Sequence, residues 1–276
     1  VWAGTTTDHP AGTFSNISNG QTLVMSGGSG NINYTADLTL RELTVSGSCT
    51  LNGLTGGDVY PLDDTTISGT LASSSNNEEL VFGNSFVSNN GALSFGGNIS
   101  SLYKIKTTHT SGTIDIPNTS THRLFCTGSG GTTRAVATVT FNTELEVGSG
   151  ATFNANGNTI NCKILDVNGG TLNLSNSTYN SNVAGGSDQF YLDSSSTLTT
   201  GNTTITGYSS AYKTRMEVPS AGNFEVVGDV KWMSVQNSDG DLTVIGSVID
   251  CDFEETGGNI RQWHHTLDTQ QLLDAD

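Results

Sequence analysis

The densest acidic stretch of the sequence is Asp-Cys-Asp-Phe-Glu-Glu at residues 250–255. Pairs of carboxyl groups hydrolyse glycosidic bonds, one acting as an acid and the other as a base or a nucleophile. On a predicted strand, Asp250 and Asp252 share one face with their Cα atoms roughly 6–7 Å apart. These two residues are therefore the candidate catalytic pair. The sequence favours the alternative, in which they form a solvated, outward-facing strip.

A second acidic segment, Asn-Ser-Asp-Gly-Asp-Leu-Thr at residues 237–243, places Asp239 and Asp241 around a glycine. This spacing matches a fragment of an EF-hand calcium loop, but the later ligands and the distal glutamate are absent. The segment is more typical of an Asp-Gly turn. Asp239 and Asp241 are thus the calcium candidates, and no cofactor is expected.

Aromatic side chains lined up with carboxylates from neighbouring repeats would indicate a carbohydrate groove. The candidates for such a groove are Tyr208, Tyr212, Trp232 and Trp263. His264 and His265 follow the last of these, but adjacent residues of an extended chain point to opposite faces. We therefore expect a terminal joint there and not a metal site.

Composition and charge exclude several classes of protein. Ten basic and 26 acidic residues give a formal charge of −16, which repels nucleic acids and anionic membranes. The sequence contains no run of 18 apolar residues, which would predict membrane insertion. It also contains no GxSxG, P-loop or HExxH motif. The sequence leaves catalysis open and favours a non-enzymatic protein.

The four cysteines form no CxxC pair, which argues against a zinc or thioredoxin-like centre. We expect the cysteines to be buried and to act as small hydrophobic residues, and one long-range disulfide is the alternative. The cysteines are Cys49, Cys126, Cys162 and Cys251.

The composition predicts that β-strands position the candidate acidic and aromatic residues. Charged residues make up only 13% of the chain, 34 residues are glycine, and Ser, Thr and Asn are abundant, which is typical of strands and turns and not of helices. A pattern of apolar-x-Val, a small polar turn and a second alternating run recurs. One unit cannot bury its apolar face, but stacked units bury it against each other, which predicts a β-solenoid. The pattern occurs at 43–53, 145–160, 165–179, 192–207, 224–235 and 242–253.

The turn Asn168-Gly169-Gly170 distinguishes a solenoid from a hairpin. Asn-Gly between alternating runs is typical of a β-hairpin, whereas the recurrence predicts a solenoid corner. The runs at 165–167 and 172–174 should then pair with residues near 145–153 or 192–206 and not with each other. The first half of the chain follows a looser pattern, which is also compatible with a β-sandwich.

The repeated segments, such as LTVSGSCTLNG at 43–53 and LDVNGGTLNLSNSTY at 165–179, occur in a chain rich in Thr, Ser, Asn and Gly and poor in Lys. They resemble right-handed parallel β-helix (pectate-lyase-like) segments of phage virion proteins and bacterial surface adhesins. The resemblance covers roughly residues 38–255 and implies an all-β, single-stranded right-handed parallel β-helix. We expect a cap or joint at 1–37, the β-helix at 38–255, and a cap or a linker to another domain at 256–276.

The resemblance implies a structural virion protein, such as a fibre, spike or capsid decoration, that acts in assembly or host attachment. Its expected partners are further copies of itself, as a homotrimer, and other virion proteins. One alternative is a tailspike domain that binds or cleaves a host surface polysaccharide. Another is a bacterial cell-surface adhesin or S-layer-like protein, which would change the expected location from the virion to the cell surface.

Overall fold

The protein folds entirely as β-strands in the residues that its computed structural model describes. These residues are 6–8, 12–15, 21–25, 29–53, 57–61, 65–73, 79–82, 93–94, 104–116, 119–182, 189–219, 221–266 and 269–274. Within them, no helix is long and apolar enough to cross a membrane.

The strands before residue 110 are short. They are β1 (Thr6–Asp8), β2 (Gly12–Ser15), β3 (Gln21–Met25), β4 (Ser29–Tyr34), β5 (Leu38–Val45), β6 (Ser48–Gly53), β7 (Val59–Pro61), β8 (Thr65–Ile67), β9 (Thr70–Ser73), β10 (Glu79–Phe82), β11 (Leu93–Ser94) and β12 (Lys104–Thr107).

The strands after residue 110 include several longer ones that turn a corner of the fold without a break. They are β13 (Thr113–Ile116), β14 (Thr119–Cys126), β15 (Thr132–Ala135), β16 (Val139–Gly148), β17 (Thr152–Asn154), β18 (Thr159–Asn168), β19 (Thr171–Asn173), β20 (Thr178–Ser181), β21 (Gln189–Leu192), β22 (Thr197–Thr199), β23 (Thr203–Thr206), β24 (Thr214–Val218), β25 (Asn223–Lys231), β26 (Met233–Ile245), β27 (Val248–Ile249), β28 (Asp252–Thr266) and β29 (Thr269–Asp274).

The chain winds into a parallel β-solenoid of about nine turns, here called coils. From β12 to β23, each coil contributes one short strand to each of three parallel stacks, and 104–107 begins stack A. Beyond β23, the segments 223–227, 241–245 and 259–263 pair in parallel with one another. Stack A contains 123–126, 144–147, 164–167, 189–192, 214–218, 233–237 and 252–255. Stack B contains 113–116, 132–135, 152–154, 171–173 and 197–199. Stack C contains 119–121, 139–141, 160–162, 178–181, 203–206, 228–231 and 248–249.

The predicted solenoid corner is confirmed. Leu165 pairs with Leu145 on one side and with Phe190 on the other, whereas Leu172 pairs with Phe153 and with Leu198. The two runs that flank Asn168-Gly169-Gly170 therefore belong to different stacks and pair with neighbouring coils. The left-handed φ of 73° at Gly169 lets the chain change direction between them.

The core is a column of inward-facing side chains, because alternate residues of each strand point inward. In β16 the buried positions are separated by exposed or half-buried ones, and Leu145 and Val147 are fully buried. The rings of Tyr179 and Phe190 meet edge to face, with 5.1 Å between their centroids. Stacking identical or similar apolar residues thus replaces the single core of a globular domain.

The four cysteines are free, and no disulfide links them. Cys49, Cys126 and Cys162 are buried as expected, and Cys251 is half-buried. Burial raises the pKa of the Cys49 thiol to about 12 and that of the Cys126 thiol to about 11. Such thiols are protonated and unreactive at neutral pH.

Parallel pairing extends beyond both of the boundaries expected from the sequence. Strand β1 pairs with β3, and β28 pairs in parallel with β26 as far as Trp263. Strand β29 then runs antiparallel to β28 and pairs with its residues 261–266. The roles of 1–37 and 256–276 as caps or joints stay predictions.

Candidate functional site

Three successive coils form one corner of the solenoid where stack C leads into stack A. The corner contains residues 207–213 of one coil, Trp232 of the next and 250–252 of the last, and we call it the aromatic corner. The register fixes this alignment, since Thr214 pairs with Met233, and Ser234 pairs with Asp252.

The loop at 207–213 is held against the coil below it by backbone contacts. The Gly207 amide donates to the Lys231 carbonyl at 2.8 Å, and a Cβ atom at Gly207 would collide with the Trp232 carbonyl. The Tyr208 amide donates to the Thr214 hydroxyl at 3.1 Å. The loop therefore presents its side chains from a fixed backbone.

Exposed large hydrophobic side chains concentrate at this end of the solenoid. Among the described residues five are exposed, and four lie at the aromatic corner or beside it: Tyr208 (41%), Tyr212 (61%), Ile249 (44%) and Phe253 (38%). The fifth, Val136, lies several coils away. This concentration makes the corner the candidate site.

Lys213 connects two carboxylates of the last coil. Its Nζ atom lies 3.1 Å from Oδ1 of Asp250 and 2.7 Å from Oδ1 of Asp252. The hydrogen bond to Asp252 is the main cause that raises the pKa of Lys213. The two predicted catalytic residues thus meet, but around an ammonium group. Asp250 lies in the bend before β28, so the two residues do not share one strand face.

Trp232 and Asp250 occupy equivalent positions in successive coils, and both have left-handed backbones, with φ angles of 54° and 51°. Bulky residues rarely adopt this conformation, which favours glycine or asparagine. Trp232 is half-buried. A strained aromatic residue beside exposed tyrosines is a further sign of function.

The chain matches no protein-family model, no curated protein and no solved structure. What is shown is the fold, a parallel β-solenoid, and the site must be judged on its own geometry.

The calcium candidates lie at a different corner, where stack A leads toward the strand at 241–245. There the Asn237 side chain, which is buried, donates to the Gly240 carbonyl at 2.8 Å and accepts from the Gly240 amide at 3.1 Å. Asp241 accepts a hydrogen bond from Asn259. Across the described residues, no group of three or more His, Cys, Asp or Glu side chains is placed to hold a metal ion.

Trp263, His264 and His265 lie in β28, but their side chains are outside the described part of the structure. The sequence-based expectations for them stay predictions. Tyr208 and Tyr212 lie in the same loop as Lys213, which binds Asp250 and Asp252 two coils away, and Trp232 lies in the coil between them.

The outward face of stack A was missed by reasoning from the sequence. Its side chains form ladders across coils, for example Glu146 beside Asp166, and then Tyr191 beside Glu217. Burial raises the pKa of both Glu146 and Asp166, and the negative charge of Glu144 raises both further. Only the register between coils, which local spacing does not contain, reveals these ladders.

Proposed function

We propose that the chain is a non-enzymatic structural segment of a phage or phage-like particle, and that it contacts a host surface glycan through the aromatic corner. The observation that carries the glycan contact is the position of exposed Tyr208 and Tyr212 in the same short loop as Lys213, whose ammonium group binds two carboxylates. The particle context is supported by the resemblance of the repeated segments.

The chemistry of the corner suits a sugar. A pyranose ring presents C–H groups on its faces and hydroxyl groups at its edge, so it stacks on an aromatic ring while its hydroxyls bind charged side chains. Tyr212 is 61% exposed and packs little of its ring against the protein. Its ring is therefore available to a ligand.

Binding is better supported than hydrolysis. A glycosidase needs its two carboxyl groups to face the scissile bond from both sides. Here the Lys213 ammonium lies between Asp250 and Asp252 and binds both. The ammonium group therefore occupies the position between them that a glycosidic oxygen or an attacking water molecule would need.

The test is a screen of the purified chain against an array of bacterial surface glycans, followed by calorimetric titration of each glycan that binds. The double variant Tyr208→Ala/Tyr212→Ala should weaken binding by about fivefold or more, since each stacking contact contributes roughly 0.5–1.5 kcal/mol. Val136→Ala, which removes an exposed hydrophobic side chain elsewhere, is the matched control. Equal weakening by both variants, or no bound glycan, would overturn the proposal.

A second function, assembly through the end of the solenoid, is favoured by Phe253. This residue continues the inward column below Val235 and Met216, both fully buried, yet it is 38% exposed, and within the described residues no further strand pairs with 252–255. An exposed core position is typical of a surface that another chain or domain covers. Multi-angle light scattering tests this, since Phe253→Asp should shift an oligomer toward monomer. A wild-type chain that is monomeric at high concentration would argue against it.

A further inference from the structure

An open pocket of about 200 Å³ lies on the outward face of stack A and shares two coils with the aromatic corner. Tyr191, Arg215, Glu217, Gln236 and Ser238 line it. They come from three successive coils, so the pocket exists only in the stacked structure. It combines an aromatic ring, a guanidinium group, an amide and a hydroxyl, which is the mixed lining that orients small polar ligands.

The pocket and the aromatic corner are parts of one surface. Lys213 precedes β24, and Arg215 and Glu217 follow on the same strand face. At about 3.3 Å per residue, the chain from Lys213 to Glu217 spans roughly 13 Å. Asp252, which binds Lys213, lies in register with Ser234 and Arg215. A chain-like ligand would therefore run along β24 from the corner to the pocket.

The two cations between the corner and the pocket, Lys213 and Arg215, are matched by carboxylates. Lys213 binds Asp250 and Asp252, and the Arg215 guanidinium binds the Glu217 carboxylate. Glu254, which accepts a hydrogen bond from Gln236 at 3.0 Å, adds a further negative charge beside the pocket. The surrounding chain carries a formal charge of −16. Lys231, next to Trp232 in the corner, is a third cation, but the four carboxylates Asp250, Asp252, Glu217 and Glu254 outnumber the three cations, so an anionic ligand meets net repulsion here.

We propose that the pocket and the aromatic corner form one groove that binds an uncharged oligosaccharide, with one sugar residue in the pocket and others extending along β24 to the corner. This inference rests on the proposed glycan contact and adds to it a second subsite and a ligand class. The pocket residues Tyr191 and Gln236 supply a stacking surface and hydrogen bonds, and the excess of carboxylates over cations disfavours sugars that carry carboxylates or sulfates.

The first experiment measures the binding of a neutral oligosaccharide and of a uronic-acid oligosaccharide of equal length by calorimetry. The wild-type chain should prefer the neutral ligand by more than about tenfold, because the carboxylates of the uronic-acid ligand are repelled by the carboxylates of this surface. Tyr191→Ala and Gln236→Ala should each weaken binding of the neutral oligosaccharide by about fivefold or more. Neither variant should change the affinity of the corner for a single neutral sugar, which is titrated separately.

The second experiment reverses the selectivity. Asp250→Asn/Asp252→Asn leaves Lys213 without its carboxylate partners and should bring the affinity for the uronic-acid ligand to within about threefold of that for the neutral ligand. Asp115→Asn is the matched control, because it removes the partner of Arg134 on stack B, 2.8 Å away, and should leave the selectivity unchanged.

The outcomes separate the two proposals. Binding of neutral sugars that depends on Tyr212 but not on Tyr191 overturns the groove and leaves the corner intact. Equal wild-type affinity for neutral and uronic-acid ligands overturns the ligand class. A chain that binds no saccharide overturns both.

Discussion

Replacement of Trp232 by glycine should separate a functional role of this residue from a structural one. Trp232 has a φ of 54° at the centre of the aromatic corner. A left-handed backbone costs a bulky residue about 1–2 kcal/mol, and glycine adopts it without this cost. If the residue served only the fold, selection for stability would favour glycine or asparagine here, as at Asn156, Asn176 and Asn202, which also have positive φ angles.

The expected change in stability is small because two effects oppose each other. Truncation of a half-buried tryptophan loses about half the roughly 3 kcal/mol of a fully buried large side chain. Relief of the left-handed strain returns about 1–2 kcal/mol. Trp232→Gly should therefore change the free energy of unfolding by less than about 1 kcal/mol. Phe153→Ala, at a fully buried core position, should cost about 3–5 kcal/mol.

Thermal unfolding followed by circular dichroism measures the change in stability, and calorimetric titration measures the change in glycan affinity. For a chain of this size, a change of 1 kcal/mol shifts the melting temperature by about 2–4 °C. Trp232→Asn is a second variant, since asparagine also tolerates the left-handed region. We expect near wild-type melting and weakened glycan binding for both variants. A loss of stability as large as that of Phe153→Ala would refute the argument from strain, and unchanged binding would refute the role in the site.

Three further predictions concern groups away from the corner. Asn237→Ala should cost about 1–3 kcal/mol of unfolding free energy, because it leaves the buried Gly240 amide without its acceptor; denaturant titration measures this, and a neutral result would contradict it. Since the pKa values of Glu146 and Asp166 are raised on folding, these groups favour folding below about pH 4 and lose that contribution as the pH rises through their raised pKa values. Glu146→Gln and Asp166→Asn should thus stabilise the protein at pH 7 but not at pH 4, and equal effects at both pH values would argue against this linkage. Burial lowers the pKa of His109, so the contribution of this residue to stability is present above about pH 6.5 and is lost as the pH falls toward the lowered pKa. The difference in unfolding free energy between wild type and His109→Gln should therefore change between pH 7.5 and pH 5. A constant difference would refute this prediction.

The fold could largely be predicted from the sequence, because its determinants are local. Alternation of apolar and polar residues over three to five positions predicts strands with one inward face. Recurrence of such runs predicts stacking, and Asn168-Gly169-Gly170 marks a corner where the left-handed Gly169 turns the chain. The pairing of Leu165 with Leu145 and Phe190 confirms this inference.

The candidate site was only partly visible in the sequence. Tyr208, Tyr212 and Trp232 could be singled out by residue type, but their alignment depends on coil length. Leu145 and Leu165 are 20 residues apart, whereas Leu165 and Phe190 are 25 apart, so residues that stack cannot be found from a constant period. The pocket around Tyr191 had no local signal at all.

The sequence by itself determined the strands, the inward and outward faces and the principle of stacking, since period-2 alternation and turn residues act over a few neighbouring positions. Only the tertiary structure decided which outward side chains meet. Lys213 and Asp252 are 39 residues apart and form a 2.7 Å contact because the loop at 207–213 and two coils of unequal length bring them to the same corner. Insertions change the register between coils without changing the local pattern, and the chemistry of the surface follows the register.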